Sequence, residues 1–175
     1  EAAISIADAA ERSFAFRGRE WDQNAADLWR NAMHSRVGRA SGARGIRAAR
    51  FVADFADGKA QLPLESVSRL QLHRLGFRSM QLQVPVAAPD GGWYFVDLGL
   101  SDIETFGECD GEAKYRDETM RSGRSLEQVL LDEKSREDWI RGTTGWRIIR
   151  WGDRAAESAH SLAARLRSFG IRIPG

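Results

Sequence analysis

The sequence predicts an α/β protein in which helices cover a mixed β-sheet that is preceded by a helical extension. Three observations predict this class. Apolar residues recur at helical spacing through the first 60 residues, three segments of strand character follow, and a helix–strand–helix pattern completes the chain. A hairpin followed by a helical crossover to a further strand needs both antiparallel and parallel pairing, and therefore a mixed sheet.

We assign residues 1–60 to the helical extension. A short helix is predicted from Ile4 to Arg12, and Asp22 is the expected N-cap of a second helix that runs to Val37. A third helix is expected over Ser41 to Ala56, with Gly58 as its stop signal. The second helix carries apolar residues at the spacing of one helical face, namely Ala25, Leu28, Trp29, Ala32 and Met33.

Residues 61–175 form the predicted sheet domain, whose elements follow the order α-β-β-β-α-β-α. A helix begins at Pro63, a residue favoured in the first turn, and stops at Gly76. Three strands are then expected, the first two joined by a turn of proline, aspartate and two glycines, over Met80–Ala87, Trp93–Leu100 and Ile103–Asp110.

The predicted domain ends with two further helices around one strand. A polar loop is expected over Arg116–Gly123, and Ser125 starts a helix that runs to about Arg141. Alternating apolar residues predict a strand over Trp146–Trp151. Asp153 is the expected cap of a last helix that ends near residue 169.

Composition excludes several classes of protein. The 175 residues suffice for one domain with a sizeable core, and 42% hydrophobic with 29% charged residues excludes a disordered chain. A single cysteine, Cys109, excludes a disulfide framework and a cysteine-based zinc site. No apolar run reaches the roughly 18 residues of a membrane span, and no leader-like segment opens the sequence, so we expect a cytoplasmic protein without a membrane partner.

Acidic residues are dense in the middle of the chain. Asp97 interrupts an apolar strand, where a carboxylate is costly to bury unless it is paired or bound to a cation. Glu108 and Asp110 are two apart on a strand and share a face, whereas Cys109 points to the core. Adjacent carboxylates repel, so this face gains most by holding a divalent cation, and Lys114 follows closely enough to reach it. The alternative for Asp97 is an ion pair or an edge position.

These residues resemble a known active-site signature. Asp97, followed after ten residues by Glu108-Cys109-Asp110-Gly111-Glu112-Ala113-Lys114-Tyr115, is similar to the motif of the PD-(D/E)XK nuclease superfamily, most of all its very-short-patch-repair-like endonuclease branch. Pro63-Leu64-Glu65-Ser66 resembles that family's first core helix, and residues 133–138 with 145–151 resemble its late helix and strand. The resemblance covers about residues 62 to 155, and the superfamily uses the same α-β-β-β-α-β order.

The resemblance implies a restriction-endonuclease-like fold and metal-dependent hydrolysis of DNA phosphodiester bonds. Asp97 and Glu108 would hold one or two Mg²⁺ (or Mn²⁺) ions, with Asp110 or Glu65 as further oxygen ligands. Lys114 would orient the attacking water or neutralise the developing charge.

The sequence departs from the superfamily pattern at the lysine of the motif. Asp110 occupies that position, so its role would pass to Lys114 or, from the late helix, to Lys134. Some members of the superfamily have lost activity, and the alternative is therefore a non-catalytic nucleic-acid-binding or regulatory, antitoxin-like module on the same fold. Similar domains follow a winged-helix, antitoxin-like domain in actinobacterial proteins, an architecture that a chain beginning at Glu1 would fit.

A run of arginines without acidic residues lies in the helical extension, at Arg36, Arg39, Arg44, Arg47 and Arg50. Such a run suits contacts with phosphates. A solvated helix face accounts for it equally well.

Overall fold

The computed structural model describes residues 1–18, 20–110 and 125–174, which contain seven α-helices and a four-stranded mixed sheet. The α/β class predicted from the sequence is therefore confirmed. The chain divides into two compact units, Glu1–Leu70 and Gln71–Gly175, so the division falls within a helix, beyond the boundary expected at residue 60. No helix in these ranges combines the length and the apolar character needed to cross a membrane.

The first unit is mostly helical. It contains α1 (Ala2–Ala15), α2 (Gln23–Arg39), α3 (Ile46–Phe55) and the N-terminal part of α4 (Pro63–Arg74). Two short antiparallel strands, β1 (Phe16–Arg17) and β2 (Glu20–Trp21), connect α1 to α2 and were not anticipated from the sequence.

The ends of α2 and α3 show how local chemistry sets helix boundaries. Asp22 caps α2 as predicted, because its carboxylate accepts a hydrogen bond from the Ala25 N–H at 3.0 Å. The expected start of α3 at Ser41 is wrong, since the helix begins at Ile46 after a turn in which Gly45 has a φ of 83°. The predicted apolar face of α2 is only partly buried, because Leu28 is 65% exposed.

Buried ion pairs connect the helices of the first unit. Asp8 of α1 is 1% exposed and pairs at 3.1 Å with Arg69 of α4. The Arg69 guanidinium also donates to the carbonyl oxygen of Phe55 at 2.7 Å, at the end of α3. Glu11 of α1 is fully buried and pairs with Arg30 of α2 at 2.8 Å, while burial raises the pKa of this carboxyl. Two acidic residues on one face of α1 thus attach it to three other helices.

The second unit is built on four strands, which lie in the order β3-β4-β5-β6: Met80–Ala87, Trp93–Leu100, Thr105–Cys109 and Arg147–Trp151. The first two pairings are antiparallel and the third is parallel. The bounds of β3 and β4 equal the predicted ones. β5 starts two residues later than expected because Ser101–Ile103 forms a 3₁₀ turn and Glu104 has a φ of 46°.

Helix α5 (Leu126–Thr144) provides the crossover from β5 to the parallel strand β6. Its N-cap is Ser125, as predicted, whose hydroxyl accepts from the Gln128 N–H at 3.1 Å. The helix runs past the expected end at Arg141 and stops where Gly145 adopts a φ of 72°. The polar loop predicted over residues 116–123 lies outside the described residues.

The prediction of a single helix at the end of the chain is wrong. Two helices are present, α6 (Asp153–Ala156) and α7 (Ala159–Ser168). The N-cap of α6 is Gly152, and Asp153 is its first residue and makes no capping bond. Ser158 starts α7 with a reciprocal capping box, in which its side chain and that of Ser161 each accept from the other's backbone N–H.

Buried core residues of the second unit lie on both faces of β6. Ile140 of α5 packs against Val96, Phe106 and Ile148 on one face. Ile149 and Trp151 alternate with Ile148 along the strand and are also buried. β5, the strand that carries Glu108, pairs with β4 on one side and with β6 on the other.

Candidate active site

Asp97 and Glu108 lie side by side where β4 and β5 cease to pair. Leu98 is opposite Gly107 in the antiparallel register, so Asp97 and Glu108 are the next residues along each strand. The Cys109 N–H donates to Oδ2 of Asp97 at 2.8 Å, and a side chain thus replaces the next rung of the ladder. Cys109 itself is fully buried, as its predicted orientation towards the core requires.

Glu108 is the most deeply buried carboxylate of the site, with 5% of its surface exposed. Arg136 of α5 pairs with Oε1 of Glu108 at 2.9 Å and also donates to the carbonyl oxygen of Phe95 at 2.7 Å. Burial raises the pKa of Glu108, Arg136 partly offsets this rise, and the negative charge of Asp97 adds to it, which brings the pKa to about 7. Glu108 therefore exchanges its proton near neutral pH.

Asp110 is paired with the second arginine of the site. Arg150 of β6 lies opposite Glu108 in the parallel register, and its guanidinium contacts Oδ2 of Asp110 at 3.1 Å. The same guanidinium bonds to two glutamates of α5, Glu137 at 3.0 Å and Glu133. Arg150 of β6 thus contacts both α5 and Asp110, the residue that follows β5.

We call this group the carboxylate–arginine cluster; it contains five carboxylates and three guanidinium groups, namely Asp97, Glu108, Asp110, Glu133 and Glu137 with Arg136, Arg141 and Arg150. The acidic groups outnumber the basic ones, so the cluster retains negative charge. A cation is the ligand that such a site favours.

The carboxylate oxygens of the cluster are ligands of the type that binds Mg²⁺ or Mn²⁺. Mg²⁺ is commonly held by one or two carboxylates and keeps several of its waters. The hydrogen bonds described above engage only Oδ2 of Asp97 and Oε1 of Glu108, and each carboxylate has a second oxygen. Within the described ranges no group of three or more His, Cys, Asp or Glu side chains is placed to hold a metal ion. Asp97 and Glu108 thus form a pair of adjacent carboxylates, each with one oxygen that these hydrogen bonds do not engage.

The structure brings some of the predicted site residues together and places others elsewhere. Asp97, Glu108 and Asp110 are brought together in the second unit. Glu65 belongs to the first unit, where it is 2% exposed and its carboxylate accepts from the Gln61 N–H at 3.0 Å. Lys114 lies outside the described residues. Lys134, the alternative, is exposed on α5 and forms no ion pair or hydrogen bond within the part of the chain that the structure describes.

Sequence reasoning did not assign the partners of these carboxylates. Glu133, Arg136 and Glu137 are three and four residues apart, a spacing that places them on the same face of α5 as the buried Ile140. That periodicity was a usable signal. The pairing of Arg150 with Asp110 depends on the register between β5 and β6, which the sequence does not contain.

Comparisons with known proteins give relatives whose names state no activity. The chain is 31% identical over 138 residues to two proteins of Mycobacterium tuberculosis, the uncharacterized proteins MT2308 of strain CDC 1551 / Oshkosh and Rv2248 of strain ATCC 25618 / H37Rv. The matched region is 72% of this chain and 50% of each relative, so the chain spans about half the length of the curated relatives it matches. No family model and no solved structure matches it.

Proposed function

We propose that the second unit is a metal-dependent, cytoplasmic DNA endonuclease domain with a restriction-endonuclease-like fold. One observation carries the proposal. Asp97 and Glu108 adjoin where the antiparallel strands β4 and β5 cease to pair, in a sheet whose next strand is parallel and reached through a helix. This combination of topology and carboxylate placement is what the resemblance to the PD-(D/E)XK superfamily implies.

Four residues of the cluster have a role in this proposal. Asp97 and Glu108 would hold the cation, which stabilises charge on the scissile phosphate and acidifies the attacking water. Glu108 must give up its proton to serve as a ligand, and its pKa of about 7 places this exchange in the physiological range. Arg136 and Arg150 place guanidinium groups, which suit phosphate oxygens, beside Glu108 and Asp110 respectively. Lys114 remains the proposed water-orienting residue.

A second candidate is a non-catalytic nucleic-acid-binding or regulatory module on the same fold. The observation in its favour is that Arg136 and Arg150 already pair with Glu108 and Asp110. In addition, Asp110 occupies the lysine position of the motif. In this proposal the arginines replace the metal as the counter-charge of the cluster.

Incubation of supercoiled plasmid with Mg²⁺ or Mn²⁺, and with EDTA as the blank, tests the two proposals. The nuclease proposal expects nicking by the wild type and a loss of about 10²-fold or more in Asp97→Asn. Asp138→Asn, an exposed carboxylate on α5, is the matched control and should cleave like the wild type. A wild type that cleaves with neither metal refutes the nuclease proposal and favours the binding module.

The catalytic lysine is tested in the same assay. Lys114→Ala should abolish cleavage, and Lys134→Ala should leave it unchanged because Lys134 is exposed on α5 without contact to the cluster. The reverse result would move the catalytic lysine to the late helix.

A further inference from the structure

The turn between α2 and α3 concentrates positive charge that the proposed active site does not use. Arginines stand at the end of α2, in the turn and along the start of α3, at Arg36, Arg39, Arg44, Arg47 and Arg50. From residue 28 to residue 53 the chain contains no acidic residue. We call residues 36–50 the arginine hairpin.

The arginine hairpin is exposed and not neutralised within the chain. All five arginine side chains are exposed, and none forms an ion pair with any acidic group in the described ranges. Arg39 donates to the hydroxyl of Ser35 at 2.6 Å, which leaves its charge intact. Among the described residues, the ion pair between α2 and α3 joins His34 and Asp54, which are 3.6 Å apart and lie outside residues 36–50. The five charges are therefore available to an external polyanion.

The backbone of the turn leaves room for close approach. Gly42 and Gly45 have φ angles of 85° and 83°, and a Cβ built at either position would meet no atom within 4 Å. Glycine is the residue that adopts this conformation without strain and lets a ligand approach the main chain. The open turn lies between the two pairs of arginines that are spaced three apart on α2 and α3.

The side chains of the hairpin favour a phosphate polymer over other polyanions. Surfaces that enter lipid expose large apolar anchors, whereas the apolar residues of 36–50 other than alanine, Val37 and Ile46, are half-buried. Proteins that bind single-stranded nucleic acid stack bases on aromatic rings, and residues 36–50 contain none. Phe51, which follows Arg50, already stacks on Phe55 with ring centroids 5.3 Å apart. Guanidinium groups without aromatic platforms suit the backbone of a duplex.

We propose that the arginine hairpin binds the phosphate backbone of duplex DNA without reading its sequence. The choice of DNA among phosphate polymers rests on the nuclease function proposed above. In this proposal the hairpin supplies electrostatic affinity and the cluster supplies chemistry, so a binding assay and a cleavage assay distinguish the failure of one proposal from the failure of the other.

The test is fluorescence anisotropy of a labelled DNA duplex in EDTA, over a range of salt concentrations. Each phosphate contact contributes about 0.9 to the slope of log K against log salt. The double variant Arg47→Gln/Arg50→Gln should therefore lower the slope by about 1.8 and weaken binding at 0.1 M salt by on the order of 10-fold or more. The matched control is Arg167→Gln/Arg172→Gln, which removes two exposed arginines elsewhere and should change neither quantity.

Each outcome decides the proposal. An unchanged slope in Arg47→Gln/Arg50→Gln, an equal loss in the control, or tighter binding of a single strand than of the duplex overturns it. Binding to vesicles of anionic phospholipid in place of duplex also overturns it and makes the hairpin a membrane contact. Circular dichroism of the double variant should match the wild type, because both side chains are exposed. If Asp97→Asn binds duplex DNA through the arginine hairpin and the wild type cleaves no plasmid, only the nuclease proposal is refuted.

Discussion

Glu108 should make the stability of the protein depend on pH, and Glu108→Gln should remove that dependence. The carboxyl has an ordinary pKa of 4.5 and a pKa of about 7 in the folded chain, because burial and the charge of Asp97 outweigh the effect of Arg136. Between these values the folded protein holds a proton that the unfolded chain releases. The free energy of unfolding therefore falls as pH rises through this range.

The magnitude follows from the shift of the pKa. One pKa unit corresponds to about 1.4 kcal/mol, so Glu108 should lower the free energy of unfolding by about 3 kcal/mol between pH 4.5 and pH 8. The penalty is absent below pH 4.5 and complete above pH 7. An amide at this position has no proton to lose, and the stability difference between Glu108→Gln and the wild type should therefore grow by about 3 kcal/mol over that interval.

Thermal unfolding in EDTA at several pH values measures this difference. For a chain of this size 1 kcal/mol shifts Tm by roughly 2–4 °C, so the gap should widen by about 6–12 °C between pH 4.5 and pH 8. Groups that titrate elsewhere contribute equally to both proteins and cancel. Glu157→Gln, an exposed glutamate, should give a constant gap. If the Tm of Glu108→Gln and the Tm of the wild type change with pH in parallel, the pKa of Glu108 is not raised in the folded protein.

Two further predictions concern metal binding and the first unit. Asp97→Asn should weaken Mg²⁺ or Mn²⁺ binding in calorimetric titration without unfolding the protein, since the amide oxygen can still accept from the Cys109 N–H; equal affinity would exclude Asp97 from the site. Arg69→Met leaves the buried Asp8 without its cation and should cost about 3 kcal/mol in urea unfolding, whereas Arg17→Met, in an exposed pair with Asp22, should cost less than about 1 kcal/mol. Similar losses in both variants would mean that burial of the Asp8 pair has no energetic consequence.

The sequence predicts the sheet elements best where hydrophobic alternation and turn residues agree. β3 and β4 have the predicted bounds, because a strong apolar pattern is interrupted by a glycine-containing turn. The predicted helix boundaries are wrong where a single residue determines the boundary. The start of α3 depends on the positive φ of Gly45, and the break between α6 and α7 depends on the capping box of Ser158. Neither feature has a strong signature in periodicity.

The residues of the candidate site are likewise only partly predictable from the sequence. Spacing along one strand predicts that Glu108 and Asp110 act together, and an acidic residue in an apolar strand marks Asp97. The arginine partners come from α5 and β6, far along the chain, and their contacts depend on how the crossover helix packs over the sheet. A residue pattern specifies the faces of elements, but only the register between elements specifies which faces meet.

The balance of charge in the cluster separates the two candidate functions more sharply than the resemblance does. Arg136 and Arg150 bond to four carboxylates between them, and Asp97 receives only the N–H of Cys109 among the contacts described. A network that served stability alone would gain by pairing or removing that last carboxylate, since its charge raises the pKa of Glu108. A divalent cation between Asp97 and Glu108 would remove the repulsion and release Arg136 from Glu108 towards a phosphate. The excess carboxylate therefore favours a site that is completed by a ligand over a network that is complete by itself.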